Sequence, residues 1–257
     1  MISNLASISS KAQLGKNVTV SPFATIYENV VIGDNCYIHP NAVIYPDTII
    51  GNDCQIFPGA IIGIINQDLK YKGEKSNTVI GNNTVIREYA TIHKGTADRM
   101  TTKVGNNCLI MAYTHLGHDC IIGNNVIIAN NGSLAGHITV EDFVIIEGVV
   151  AAQQFVTIGA HSFIAGASLV RKSVPPYVRV AREPLQFIGV NTIGLGRRGF
   201  DKEVIKQIED IYRIIFVRGH NITNALEIVE NEIPESDVRH QIITFIKAQK
   251  EGIIKGI

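Results

Sequence analysis

The chain has 257 residues, 46 % of them hydrophobic, with 23 basic and 23 acidic side chains. The neutral balance argues against a general nucleic-acid binder, and no apolar run is long enough to span a bilayer. The length is ample for a large buried core.

From the second residue onward the aliphatic pattern has period six. Ile2, Ile8, Leu14 and Val20 begin it, and an isoleucine follows at every sixth position from Ile26 to Ile62. The frame resumes at Ile80, Ile86 and Ile92, then runs from Val104 to Val170. Of its 29 positions, 25 are aliphatic; Asp68, Glu74, Asp98 and Ala152 are the exceptions. Neither an α-helix nor a simple strand has this period. It predicts a parallel β-helix, in which each hexad supplies one short strand and one corner. Stacked repeats then share a core that no single repeat could bury.

The other hexad positions agree. Gly-Asn strings such as Ile80-Gly81-Asn82-Asn83 suit corners that need positive φ. A small residue, such as Ala24, Ala42, Ala60 or Ala90, follows four places after each aliphatic and points inward beside it. Cys36, Cys54, Cys108 and Cys120 all occupy that inward slot. With no CxxC spacing and no secretory segment, they read as buried, reduced, space-filling residues, which suggests a cytoplasmic protein.

Two breaks interrupt the frame, at about 63–77 and 94–103, and both return in phase, as external loops of a solenoid do. After Val104 three hexads make one coil, so residues 18 apart should stack at ~4.8 Å spacing. That puts His118, Gly136 and Gln154 in one column, with Asp119, His137 and Phe155 beside it. A histidine with an adjacent carboxylate is the minimum for general-base catalysis. Gly136 can present a bare backbone N–H to a developing oxyanion. On an extended strand, however, neighbours point to opposite sides, which would send Asp119 elsewhere. His39 and His161 read as solvated corner residues, whereas His93, His115, His118 and His137 gather in one zone. Zinc chelation of the γ-class carbonic anhydrase kind is a rival, but the close pair here has the wrong separation. No metal and no cofactor is expected.

The frame ends near Val174-Pro175-Pro176, where two prolines mark a boundary. The expected division is 1–176 for the solenoid and 177–257 for a Gly-rich linker and a small α-helical domain. Asp201, Thr223 and Ser236 read as helix N-caps, and Val204, Ile208, Ile211, Tyr212 and Ile215 as an apolar stripe. Residues 171–218 carry ten Lys/Arg against five Asp/Glu, a local excess suited to an acidic partner or a phosphate.

Several strings together carry a specific resemblance. They are Asn66-Gln67-Asp68-Leu69-Lys70-Tyr71, Thr91-Ile92-His93-Lys94-Gly95-Thr96, His115-Leu116-Gly117-His118-Asp119-Cys120, Leu134-Ala135-Gly136-His137, Val174-Pro175-Pro176-Tyr177, and Gly189-Val190-Asn191 with Arg197-Arg198-Gly199-Phe200. In this order the chain resembles the acyl-[acyl-carrier-protein]–UDP-N-acetylglucosamine O-acyltransferases of lipid A synthesis, over essentially its whole length. The resemblance implies a left-handed parallel β-helix followed by a small α-helical C-terminal domain, and a homotrimer with active sites between subunits. It implies transfer of an (R)-3-hydroxyacyl chain from acyl carrier protein to the glucosamine 3-hydroxyl without an acyl-enzyme. His118 then corresponds to the general base, Asp119 to its support and Gly136 to the oxyanion donor. Among substrate-binding positions, Asp68 and Lys70 correspond to sugar or acyl-hydroxyl contacts with Gln67 beside them, and His93, His115 and His137 to residues that line the cleft. Gln154, Asn191, Arg197 and Arg198 correspond to positions that hold the uridine diphosphate. Gly166 matches the position that lets a long acyl chain pass. Gln153 and Ile193 replace a histidine and an acid common in related sequences. Three alternatives stand beside this reading: N-acylation of a 2,3-diamino sugar nucleotide, the related N-acyltransferase of the third step, and a non-catalytic hexapeptide scaffold.

Overall fold

Each hexad from Ser7 onward contributes a strand of two to four residues, and the strands stack into three sheets. The computed structural model describes residues 1–256. The first face has nine strands, from Ser7–Ile8 to Leu169–Val170, and the second has eight, from Gln13–Leu14 to Thr157–Ile158. The third has ten strands, starts at Thr19–Val20 and closes with Val178–Ala181 and Gln186–Val190. All pairs are parallel except that last hairpin. The frame residues fill the prism: Ile26, Ile62, Ile92, Ile110 and Ile146 are among those buried to 1 % or less. The small residues between them, the four free cysteines included, are buried as well. The prediction of a parallel hexapeptide β-helix with a helical C-terminal part is therefore met.

Most corners place one residue in the left-handed region whether or not it is asparagine. Tyr89, Tyr113, Phe143, Phe155 and His161 all have φ between 56° and 67°. Aromatic residues in this strained conformation stack on one another between coils, as Tyr89 does on Tyr113 (5.3 Å) and Phe143 on His161 (4.8 Å). His161 continues that stack to Tyr177, and His39 is sandwiched between Tyr37 and Phe57. Neither is the solvated corner residue expected.

Both insertions lie where the frame breaks, but the second is shorter than expected. Thr101–Val104 is already a strand, paired residue for residue with Asn77–Ile80, so only 94–100 leaves the ladder. The ladder also runs past Pro175-Pro176. Phe163 and Ile164 pair with Arg179 and Val180, because the prolines occupy a corner and a coil needs ladder bonds only from its short strands. The Gly-rich stretch contains a helix, α1 (Thr192–Arg197). Three more follow: α2 (Lys202–Phe216), α3 (Ile222–Glu232) and α4 (Asp237–Ala248). Ser236 caps α4 as expected, whereas Asn221 rather than Thr223 caps α3, and Asp201 makes no side-chain cap bond. The apolar stripe of α2 faces the solenoid end, where the buried Tyr212 hydroxyl donates to Pro176 O at 2.6 Å. Among the described residues no helix is long and apolar enough to cross a membrane.

Candidate active site

His118 and Asp119 form the corner between the first and second faces, directly after the strand His115–Leu116. Asp119 is not extended: at φ 59° it turns back on its neighbour. Its Oδ2 lies 2.9 Å from His118 Nδ1, so two adjacent residues form the dyad. The carboxylate is fully buried and accepts further bonds from the Thr96 amide, the Thr96 hydroxyl and the Arg99 amide. Burial pushes Asp119 up, but the bonds from Thr96 and His118 outweigh it and hold the group below the usual carboxylate range.

The other side of the His118 ring faces Gly136, one coil on. A Cβ at Gly136 would sit 2.6 Å from both Cε1 and Nε2 of His118, so only glycine leaves the ring in place. The flanking amides serve the ladder, Ala135 N to Ala152 O and His137 N to His118 O; the Gly136 N–H has no partner among the described residues. A base nitrogen thus abuts, at one point of the corner, a glycine whose amide donor is unpaired.

That point opens into a cleft of about 610 Å³. Gln67, Asp68 and Lys70 on the first insertion form one wall, and His93, His115, His118, Gly136 and Gln154 the other. The expected column of His118, Gly136 and Gln154 therefore lines a single cavity. His93 is buried, and its burial and the neighbouring His115 and His118 lower it to about 4, so it stays neutral. Burial also lowers His115, whose Nδ1 lies 2.8 Å from the Thr91 hydroxyl. His137 borders an adjoining pocket with Asp98 and Phe155. Its Nδ1 lies 3.0 Å from Asp98 Oδ2 without hydrogen-bond alignment, and its Nε2 lies 3.9 Å from Asp119 Oδ2. His118, Asp119 and His137 are the one trio near enough to share a metal ion among the described residues. Both Asp119 oxygens are already committed to Thr96, Arg99 and His118, so a cation would have to displace those bonds.

Four of the expected site residues lie elsewhere in this chain. Asn191, Arg197 and Arg198 sit beyond the corner between the second and third faces. Asn191 caps α1 through Gly194 N and donates to His161 O. Arg198 lies over the Phe143 ring and donates to Phe143 O, while Arg197 is exposed. Gly166 is on the third corner, where its amide donates to Glu147 Oε2. Sequence reasoning missed Thr96 and Arg99, which hold Asp119. The signal available was a frame break immediately after a site histidine.

A parallel hexapeptide prism with a histidine–carboxylate dyad, an unpaired amide donor and a histidine-lined cleft defines an acyltransferase of the hexapeptide-repeat class. The hexapeptide transferase family (six repeats) matches residues 11–46, 29–64 and 101–136. The family described as UDP-N-acetylglucosamine O-acyltransferase, domain 2, matches 174–254. The acyl-[acyl-carrier-protein]–UDP-N-acetylglucosamine O-acyltransferase of Aliivibrio salmonicida is 41 % identical over 195 residues, 76 % of this chain and 74 % of that one. Among solved structures, LpxA of Bacteroides fragilis, a UDP-N-acetylglucosamine acyltransferase, superposes with a TM-score of 0.98 at 47 % identity, covering 99 % of this chain and 100 % of that one. The Francisella novicida UDP-N-acetylglucosamine acyltransferase gives 0.96 at 39 % identity, covering 99 % and 94 %. The chain belongs to the acyl-[acyl-carrier-protein]–UDP-N-acetylglucosamine O-acyltransferase family.

Proposed function

We propose that the chain transfers an (R)-3-hydroxyacyl group from acyl carrier protein to the 3-hydroxyl of UDP-N-acetylglucosamine, the first step of lipid A synthesis. His118 Nε2 takes the hydroxyl proton as the sugar oxygen attacks the thioester carbonyl. Asp119, bonded at Nδ1, fixes the tautomer and stabilises the imidazolium that forms. The Gly136 amide meets the oxyanion of the tetrahedral intermediate. When that intermediate collapses, the carrier thiolate leaves and takes the proton back from His118. The transfer is direct. All four thiols are buried away from the cleft, so no cysteine is available to form an acyl-enzyme. The observation that carries this reading is a base nitrogen beside an unpaired amide, with its other nitrogen held by a buried carboxylate.

Gln67, Asp68, Lys70, His93 and His115 hold the sugar and the acyl hydroxyl in the cleft. Asn191, Arg197 and Arg198 contribute from a second copy in a homotrimer, and Gly166 leaves room for a long acyl chain. The exposed Lys202 and Lys206 belong to a basic surface for the acidic carrier, a contact weakened by salt. A cytoplasmic setting fits the four unpaired thiols.

Mass spectrometry tests the reaction. The protein, given UDP-N-acetylglucosamine and 3-hydroxymyristoyl carrier protein, yields a 3-O-acylated sugar nucleotide, and His118→Ala yields none. Product from His118→Ala at the parent rate would remove the base. No product from folded parent would move the acceptor to a 2,3-diamino sugar nucleotide.

A further inference from the structure

The insertion at 94–100 is fastened on both sides. From the first insertion, Asn66 Nδ2 and Ser76 Oγ donate to Gly95 O at 3.3 and 2.5 Å, and Glu74 Oε1 accepts from Ala97 N at 3.0 Å. Gly95 packs so closely on the returning strand that a Cβ would lie 2.4 Å from Thr101 N. Thr96, 6 % exposed, is thereby set against the Asp119 carboxylate. Its amide bridges the two carboxylate oxygens at 3.0 and 3.2 Å, and its hydroxyl donates to Oδ2 at 2.6 Å. Arg99 adds its amide to Oδ1 at 3.3 Å and a guanidinium bond to Asp119 O at 2.9 Å.

We infer that Thr96 is a positioning residue for the transfer: its hydroxyl and amide lock the Asp119 carboxylate in the rotation that orients His118. The inference rests on His118 acting as the base. A carboxylate that hydrogen-bonds only an imidazole can swing away from it. Donors on both of its oxygens prevent this, and they come from a segment that is itself tied down. The hydroxyl bond is the shortest that Asp119 receives, and a charge-assisted bond of that kind is among the strong ones. Without it, burial is less opposed and the carboxylate is protonated more readily. Thr96 acts through Asp119, so its loss slows turnover rather than weakening the sugar contacts.

Thr96→Val keeps the shape and deletes the hydroxyl. We expect kcat to fall on the order of tenfold, KM for UDP-N-acetylglucosamine to stay within about twofold, and Thr96→Ser to recover most of the rate. Asp119 is held below the usual carboxylate range, so the ratio of variant to parent kcat should stay nearly constant between about pH 6 and about pH 8. Thr96→Ala, which removes bulk instead of exchanging it, gives the same readings where valine is not accommodated. All variants are assayed well below their melting midpoints. A kcat within twofold of the parent at every pH, a loss confined to KM, or a serine variant as slow as valine would overturn the inference. His118→Ala is run alongside. Retained activity there defeats the assignment of the base, whereas an inactive His118→Ala beside a normal Thr96→Val defeats only the role of Thr96.

Discussion

A histidine ring shut away from water beside a guanidinium is poorly placed to carry a charge. His161 stacks on Phe143 at 4.8 Å and Tyr177 at 5.5 Å, and its Nδ1 lies 3.5 Å from an Arg198 nitrogen. Burial and the Arg198 cation lower it from 6.5 to about 4, against a weaker pull from Asp142. Between those two values the unfolded chain binds a proton that the native chain does not, so stability rises with pH through the window and levels off above 6.5. His161→Phe keeps the stack and removes the titration. The melting midpoint of the parent should therefore fall more than that of the variant between about pH 7 and about pH 5. Parallel profiles would show that His161 does not titrate this way. The stack was hidden in the sequence because its members are 16 or 18 residues apart and meet only through the stacking of coils. His118 and Asp119 were legible as chemistry, since they are adjacent and of the right types. Their contact was not, because it depends on the left-handed φ of Asp119.

At the scale of the repeat, a coil tolerates what its corner tolerates. Gly105 lies under the next coil, and a Cβ there would sit 2.4 Å from Gly123 O and 2.6 Å from Gly123 C, both backbone atoms that cannot step aside. Gly196 in α1 has nothing within 4 Å of the same position. Gly105→Ala should destabilise by about 1–3 kcal/mol through overpacking. Gly196→Ala should be neutral or gain up to about 1 kcal/mol from helix propensity. Urea unfolding distinguishes them; equal midpoints would mean that the coils can part at no cost. The six-residue period revealed the strands because each frame residue is buried by its own coil and the two beside it. Element ends were less legible because partners decide them. Thr101 to Lys103 join a strand only because Asn77 to Val79 lie alongside, and the glycines of 194–199 gave no sign that Asn191 would cap a helix.

Across the whole molecule, the proposed site residues occupy different corners of one prism. His118 and the cleft lie between the first and second faces, Arg197 beyond the corner between the second and third, and Gly166 on the remaining corner. Neighbouring corners are separated by a face of about six residues, ~20 Å at full strand extension, and they point in different directions. A single sugar nucleotide cannot bridge them within one copy. In a closed ring of identical subunits, however, one corner of each copy faces a different corner of the next. If the site is shared in this way, a defect at His118 and a defect at Arg197 can be segregated. Arg197 is exposed and forms no ion pair among the described residues, so Arg197→Ala should fold normally while losing at least about tenfold in kcat/KM. His118→Ala alone should be inactive. When the two variants are coexpressed with different tags and mixed trimers are purified, each 2:1 ring leaves both groups intact in one of its sites, about a third of the total. Activity should then rise to roughly that fraction of the parent, well above the mean of the two variants. Activity at that mean would place His118 and Arg197 in separate, unshared sites, and an unimpaired Arg197→Ala would remove Arg197 from the nucleotide contacts.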